Sequence, residues 1–191
     1  MRFFRPLLFI SVFLGLGYWI LGPSFHYAKT SANRSSCQSN LKQIGMACAQ
    51  YVSDNDSRLL PLSNEKSGWA DLLLPYAKSW PIFQCPSGRK PTQIVSSDYF
   101  FNGRLAGAKL KSIPDRTQTI LLGEGLDNGA SNSHLIERPT DATINDNSPM
   151  QRHLKGGNYV FVDGHVKWLR SSKISNQSSS RENWNATFAV R

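Results

Sequence analysis

The chain has 191 residues, with 22 Lys and Arg against 13 Asp and Glu for a formal net charge of +9. That length suits one soluble domain of about 150 residues with a core of its own, so one domain is the default. The positive charge admits nucleic acid, anionic lipid or an acidic polymer as partner, yet the basic residues are scattered and their longest run is Arg89-Lys90, so no stretch reads as a dedicated groove reader.

Residues 6–28 carry no formal charge, and residues 6–25 ("PLLFISVFLGLGYWILGPSF") are almost wholly apolar, the length a helix needs to cross a bilayer core. A secretory signal peptide cut after residues 30–32 is the alternative, but its apolar region is usually only ~7–15 residues long. An uncleaved span is therefore the expectation. Arg2 and Arg5 form a short basic leader, residues 1–5, on the side that stays cytoplasmic. Either reading exports the rest of the chain.

Beyond the span, residues 29–56 read as an outer amphipathic helix. Cys37, Leu41, Ile44, Cys48 and Tyr51 recur at spacings of 4, 3, 4 and 3 and so share one face. Gly45 is a weak point, and Asp54-Asn55-Asp56 ends the helix. The Asp-x-Asp there lacks the glycine and terminal glutamate of a calcium loop. In an oxidising compartment Cys37 and Cys85 are the preferred disulfide, with Cys48 left as a small buried apolar residue; three reduced core thiols are the alternative.

Residues 57–170 form the expected globular β domain. Within it, residues 68–78 suggest a short helix stopped or kinked by Pro75, and residues 80–91 a Pro-punctuated loop bringing Cys85 back to the core, with Trp69, Trp80 and Phe83 packing there. Residues 97–102 and 117–123 look like strands. Residues 125–149 are polar and long for a loop in a compact domain. Residues 171–191, a Ser-rich tail, are expected to be disordered or loosely docked.

The densest cluster of chemistry lies in "RHLKGGNYVFVDGHVKWL", residues 152–169. Two alternating runs flank Asp163-Gly164, which predicts a two-residue type I′ hairpin turn. In that register Tyr159 opposes Trp168 and Phe161 opposes Val166, and these four side chains make an aromatic face that covers the helix. His165 falls on the opposite face, beside the turn. His153 lies a strand's length away from Asp163, so a joint catalytic or metal site requires the chain to fold back at Gly156-Gly157. A structural histidine that hydrogen-bonds a neighbouring segment is the favoured role.

Taken together, "CQSNLKQIGMACAQYVSDND", "FQCPS" and the histidine followed after nine residues by Asp-Gly resemble bacterial pseudopilin-like proteins. These belong to the type II secretion and type IV pilin superfamily, in the branch named for a prepilin-processing-associated H-X9-DG motif. The similarity runs from about Arg34 to Leu169. It implies an α+β, pilin-like fold, with a long N-terminal helix half in the membrane and its outer half packed on a small antiparallel sheet. It further implies an inner-membrane location with the domain outside, and helix-to-helix contacts with other pilin-like subunits or secretion components. Calcium in the 125–149 loop, near Asp141 and Asp146, is another implied possibility; no other cofactor is expected. The span lacks the Gly-Phe-Thr-Leu-Ile-Glu signature that heads such helices, so a tethered pilin-like domain is the conservative form of this reading.

Three functions compete. The first is a structural or assembly component, or an accessory, of a secretion or pilus-like system. The second is an exported basic module that binds DNA or an anionic polysaccharide. The third is a hydrolase using His153, His165 and Asp163, Asp146 or Glu124, for which no Gly-x-Ser-x-Gly elbow, His-Glu-x-x-His pair or paired-cysteine zinc spacing speaks. A non-enzymatic role is the expectation.

Overall fold

A computed structural model describes residues 4–61, 68–90, 96–130, 134–135, 148–175 and 186–189; side chains of residues 4–21, 23, 127–130 and 134–135 are not among those described. The protein is α+β. One helix, α1 (Phe4–Asp54), runs for 51 residues into the domain, followed by α2 (Trp69–Ala77). The strands are β1 (Ser96–Asn102), β2 (Ile120–Ala130), β3 (His134–Leu135), β4 (Gly157–Phe161), β5 (Val166–Leu169), β6 (Ile174–Ser175) and β7 (Ala186–Thr187).

The main sheet has the order β3-β1-β2-β4-β5. Strands β1, β2, β4 and β5 are antiparallel neighbours, and the short β3 pairs parallel to β1. Strand β2 runs seven residues beyond the predicted end at residue 123, into the stretch read as loop. Residues 136–147, which include Asp141 and Asp146 of the calcium expectation, lie outside the described residues.

Among the described residues, the C-terminal half of α1 meets the sheet. Cys37, Leu41, Ile44, Ala47, Cys48 and Val52 are buried there, while Tyr51 is half-buried at the edge. The face they form packs on Tyr99, Phe101, Leu122 and Val160, and Trp69 and Leu73 of α2, with Phe83 from the 3-10 turn after it, close the same layer. Trp69 and Trp80 both lie against Phe83, with ring centroids 5.8 and 5.1 Å apart. Gly45 lies where the helix packs tightly on the sheet: a Cβ there would be 2.9 Å from Val160 Cγ1. The predicted weak point is thus a close-approach site.

The opposite face of the sheet carries a second core of Phe100, Ile120, Met150, Tyr159, Phe161, Leu169, Ile174, Ala186 and Phe188. Residues 171–175 and 186–189, expected to be loose tail, therefore dock: Ile174, Ala186 and Phe188 are buried, and β6 pairs with β7. Strand β4 is buried on both faces because it lies between the two cores.

The register of β4 on β5 differs from the prediction by one residue. Tyr159 opposes Lys167, Asn158 opposes Trp168 and Val160 opposes Val166. The cause is the connection, which holds three residues rather than two: Gly164 N donates to Phe161 O, Phe161 N donates to His165 O, and Gly164 alone sits at positive φ, +86°. This is the pattern of a turn closed by a glycine in the left-handed region, as in three-residue loops. Because side chains alternate, the slip changes which residues face the helix. Val160 and Val166 turn toward α1, while Tyr159 and Phe161 enter the second core.

No helix among the described residues is long and apolar enough to cross a membrane. The side chains of the expected span over residues 6–28 lie mostly outside the described residues.

Candidate functional site

Where α1, β2 and the start of β4 meet, a cluster of polar side chains is sealed into the core. Glu124 projects from β2 on the helix-facing side and is fully buried. A lone buried carboxylate is costly unless its oxygens are hydrogen-bonded and its charge is matched. Both conditions hold here. Arg152 NH1 donates to Glu124 Oε2 at 2.9 Å, Asn158 Nδ2 donates to Oε1 at 3.1 Å, and His153 Nε2 lies 3.1 Å from the same Oε1. Arg152 also donates through NH2 to Gly125 O at 2.7 Å, which fixes its planar fork against the β2 backbone.

His153 is 0% exposed, and its Nε2 lies 3.3 Å from Sγ of Cys85. Cys85 is joined to Cys37 of α1 in a disulfide with Cα atoms 5.2 Å apart. Its backbone N–H donates to Asp98 Oδ2 at 2.8 Å, so a second buried carboxylate holds that segment. The four side chains Cys37, Cys85, Glu124 and His153 bring one Sγ, N or O atom each within 4.8 Å of one another. Nearby Tyr99 is buried, and burial first, with the Glu124 carboxylate adding, pushes its phenol well above the usual value.

The local backbone explains how His153 arrives there. His153 N donates to Gly156 O and Gly156 N to His153 O, while Leu154 and Lys155 between them both have positive φ, 55° and 63°. The chain therefore reverses at two non-glycine residues in the sparsely populated left-handed region. The fold-back considered for Gly156-Gly157 occurs two residues earlier. Trp168 of β5 then caps the reversal, its Nε1 donating to His153 O at 2.7 Å, and the Arg34 guanidinium sits 5.8 Å above its ring.

The other end of the motif is separate. Asp163 and Gly164 follow β4 whereas His153 precedes it, and the five residues of β4 span about 17 Å at the usual rise. Asp163 Oδ1 accepts from the His165 backbone N–H at 3.1 Å and lies 2.7 Å from its Nδ1. The His165 ring stacks on Phe161 with centroids 4.2 Å apart. Gly164 O accepts from Lys42 Nζ of α1 at 2.8 Å. Both ends of the H-X9-DG stretch thus bear on the helix, His153 through the disulfide at Cys37 and Gly164 through Lys42, while Asn158 between them donates to Arg34 O at 3.3 Å.

Of the residues singled out in the sequence, Cys37, Cys85 and His153 converge, together with Glu124; Asp163, Gly164 and His165 form their own local turn. Arg152 and Asn158 were missed. Their only sequence signal is adjacency to the motif, since nothing in a spacing of 28 residues ties Arg152 to Glu124. No family model, characterised protein or solved structure matches the chain.

Proposed function

We propose that the protein is a membrane-anchored, pseudopilin-like structural or assembly component of a type II secretion or pilus-like system, with its domain outside the inner membrane. The observation that carries this reading is the helix: α1 continues unbroken from Phe4 to Asp54, yet among its described side chains contact with the sheet begins at Arg34 and full burial at Cys37. The preceding turns project with Phe25 and Tyr27 exposed at 72% and 64%. Such a helix fits a tether whose free portion meets lipid or the helices of other subunits. The motif histidine supports the same reading. His153 and Glu124 are sealed from solvent, which suits a strut that fixes sheet on helix better than a group that turns over substrate. The Asp-Gly end of the motif serves likewise as the pilin-like hairpin that locks onto the helix through Lys42.

The test is the intact mass and N-terminal sequence of the protein recovered from membranes washed with alkaline carbonate. Retention with an unmodified start at Met1 or Arg2 supports a permanent tether and an accessory role. Retention with a trimmed, N-methylated start supports a filament subunit. Full release by carbonate would overturn the anchor.

A further inference from the structure

We infer that reduction of the Cys37–Cys85 disulfide converts this cluster into a zinc site, with Cys37, Cys85, His153 and Glu124 as the four ligands. The argument starts from the donor set. Two thiolates, one imidazole and one carboxylate are the ligand types of tetrahedral zinc, and the thiolates select against magnesium and calcium. All four side chains are buried and their donor atoms lie within 4.8 Å of one another, so the site is closed, as in structural rather than catalytic zinc centres.

The spacing is already close to what the ion needs. Bonds of about 2.0–2.1 Å to nitrogen and oxygen in a tetrahedron put those donors roughly 3.3 Å apart. The Nε2 of His153 is 3.1 Å from Glu124 Oε1 and 3.3 Å from Cys85 Sγ. The two sulfurs must part from bonded contact to about 3.7 Å, the separation set by zinc–sulfur bonds of about 2.3 Å, and the remaining donors, all within 4.8 Å of one another, draw in around the ion. Their Cα atoms, 5.2 Å apart, leave that to side-chain rotation. Among the ligands and their nearest cation the charges cancel: two thiolates and Glu124 give −3, zinc +2, and the Arg152 guanidinium 2.9 Å from Glu124 +1, with the Asp98 carboxylate bonded to the Cys85 N–H outside that set.

The steps balance. A phosphine reductant gives two electrons to the disulfide and takes an oxygen from water to become the phosphine oxide, leaving two thiols. Zinc then displaces one proton from each thiol. His153 binds through Nε2, so its ring proton moves to Nδ1, which has no hydrogen-bond partner among the described residues. A ligating histidine without such support costs affinity of about 10–100-fold, so this site is weaker than a fully supported zinc centre. Disulfide and metal exclude each other, and the site is read out by redox state.

The experiment uses the full chain in detergent with a phosphine reductant under argon, and Co²⁺ as a spectroscopic probe. The expected result is one Co²⁺ per chain, with thiolate-to-cobalt charge transfer in the near ultraviolet and the visible bands of a tetrahedral ion, displaced by Zn²⁺. The oxidised protein shows none of this. C48A retains the bands, C85S loses the charge transfer, and H153Q or E124Q weakens binding at least tenfold. Absence of the bands in reduced protein whose circular dichroism is native overturns the inference, as does their persistence in urea or in folded H153Q. Should the variants fail to fold, the wild type still decides: Zn²⁺ must raise the fraction of Cys37–Cys85 reduced at a fixed dithiol ratio, and an unchanged fraction rejects the site.

Discussion

The Nε2 atom of His153 and the Oε1 atom of Glu124 lie 3.1 Å apart with both side chains fully buried. Because Glu124 also takes a charged hydrogen bond from Arg152 at 2.9 Å, the carboxylate is the hub and the others are its compensation. Removing the arginine alone leaves an uncompensated buried charge, which costs about 3–5 kcal/mol. Removing both charges leaves none. R152M is therefore expected to be far less stable than the double variant R152M/E124Q, and a urea-unfolding cycle over the four proteins measures the coupling. Additive losses would show that Glu124 does not depend on Arg152.

Gly45 sets two known magnitudes against each other. Alanine in place of glycine in a helix gains about 1 kcal/mol, but the added Cβ would stand 2.9 Å from Cγ1 of Val160, and overpacking a core costs about 1–3 kcal/mol. Val160 is β-branched and buried on a central strand, so it yields little. G45A is expected to lower stability by about 1 kcal/mol. G45A/V160A should be more stable than the sum of the single changes predicts; a simple gain in G45A would mean that the helix is free to move outward.

The disulfide closes a sequence separation of 48 residues, for which the chain-entropy model gives about 4 kcal/mol. C37S/C85S should lose up to that amount of unfolding free energy, seen as a lower urea midpoint, and metal-free reduced wild type should behave like it. An unchanged midpoint would show that the sheet holds α1 without the bridge.

These residues also show which kinds of information the sequence carries. The stripe Leu41, Ile44, Cys48 was legible because a helix face follows from spacing alone, and strands β1 and β4 from composition and alternation. The register was not, because Asp-Gly serves both a two-residue and a three-residue loop, and the choice rests on what lies beyond it. Here Val162 N donates to Thr119 O and Asp163 N to Arg116 O, contacts that draw the turn residues toward β2. The reversal at Leu154-Lys155 had no signal at all: two bulky residues at positive φ are held by Trp168 and by the buried histidine before them, which are tertiary facts. Glu124 was named only among several acids near the histidines, since no local rule ties a residue on β2 to one 29 positions later.

Alkaline pH offers the last test, and its sign can be worked out. Burial raises the Cys48 thiol far above its ordinary 9.0, and burial with Glu124 raises the Tyr99 phenol well above its ordinary 10.0. Both groups ionise in the unfolded chain before they do in the folded one. The unfolded state therefore holds fewer protons from pH 9 upward, and stability falls as pH rises. Below pH 9 both contributions are complete. Cys48 above pH 9 and Tyr99 above pH 10 each remove about 1.4 kcal/mol per pH unit until the folded form also ionises. Urea midpoints between pH 7 and 11 should thus be flat to about 9 and then decline. C48A should postpone the onset of the decline to about pH 10, and C48A/Y99F should flatten it further. A decline of equal slope in wild type and C48A/Y99F would place the alkaline sensitivity elsewhere and show that these two side chains meet solvent in the folded protein.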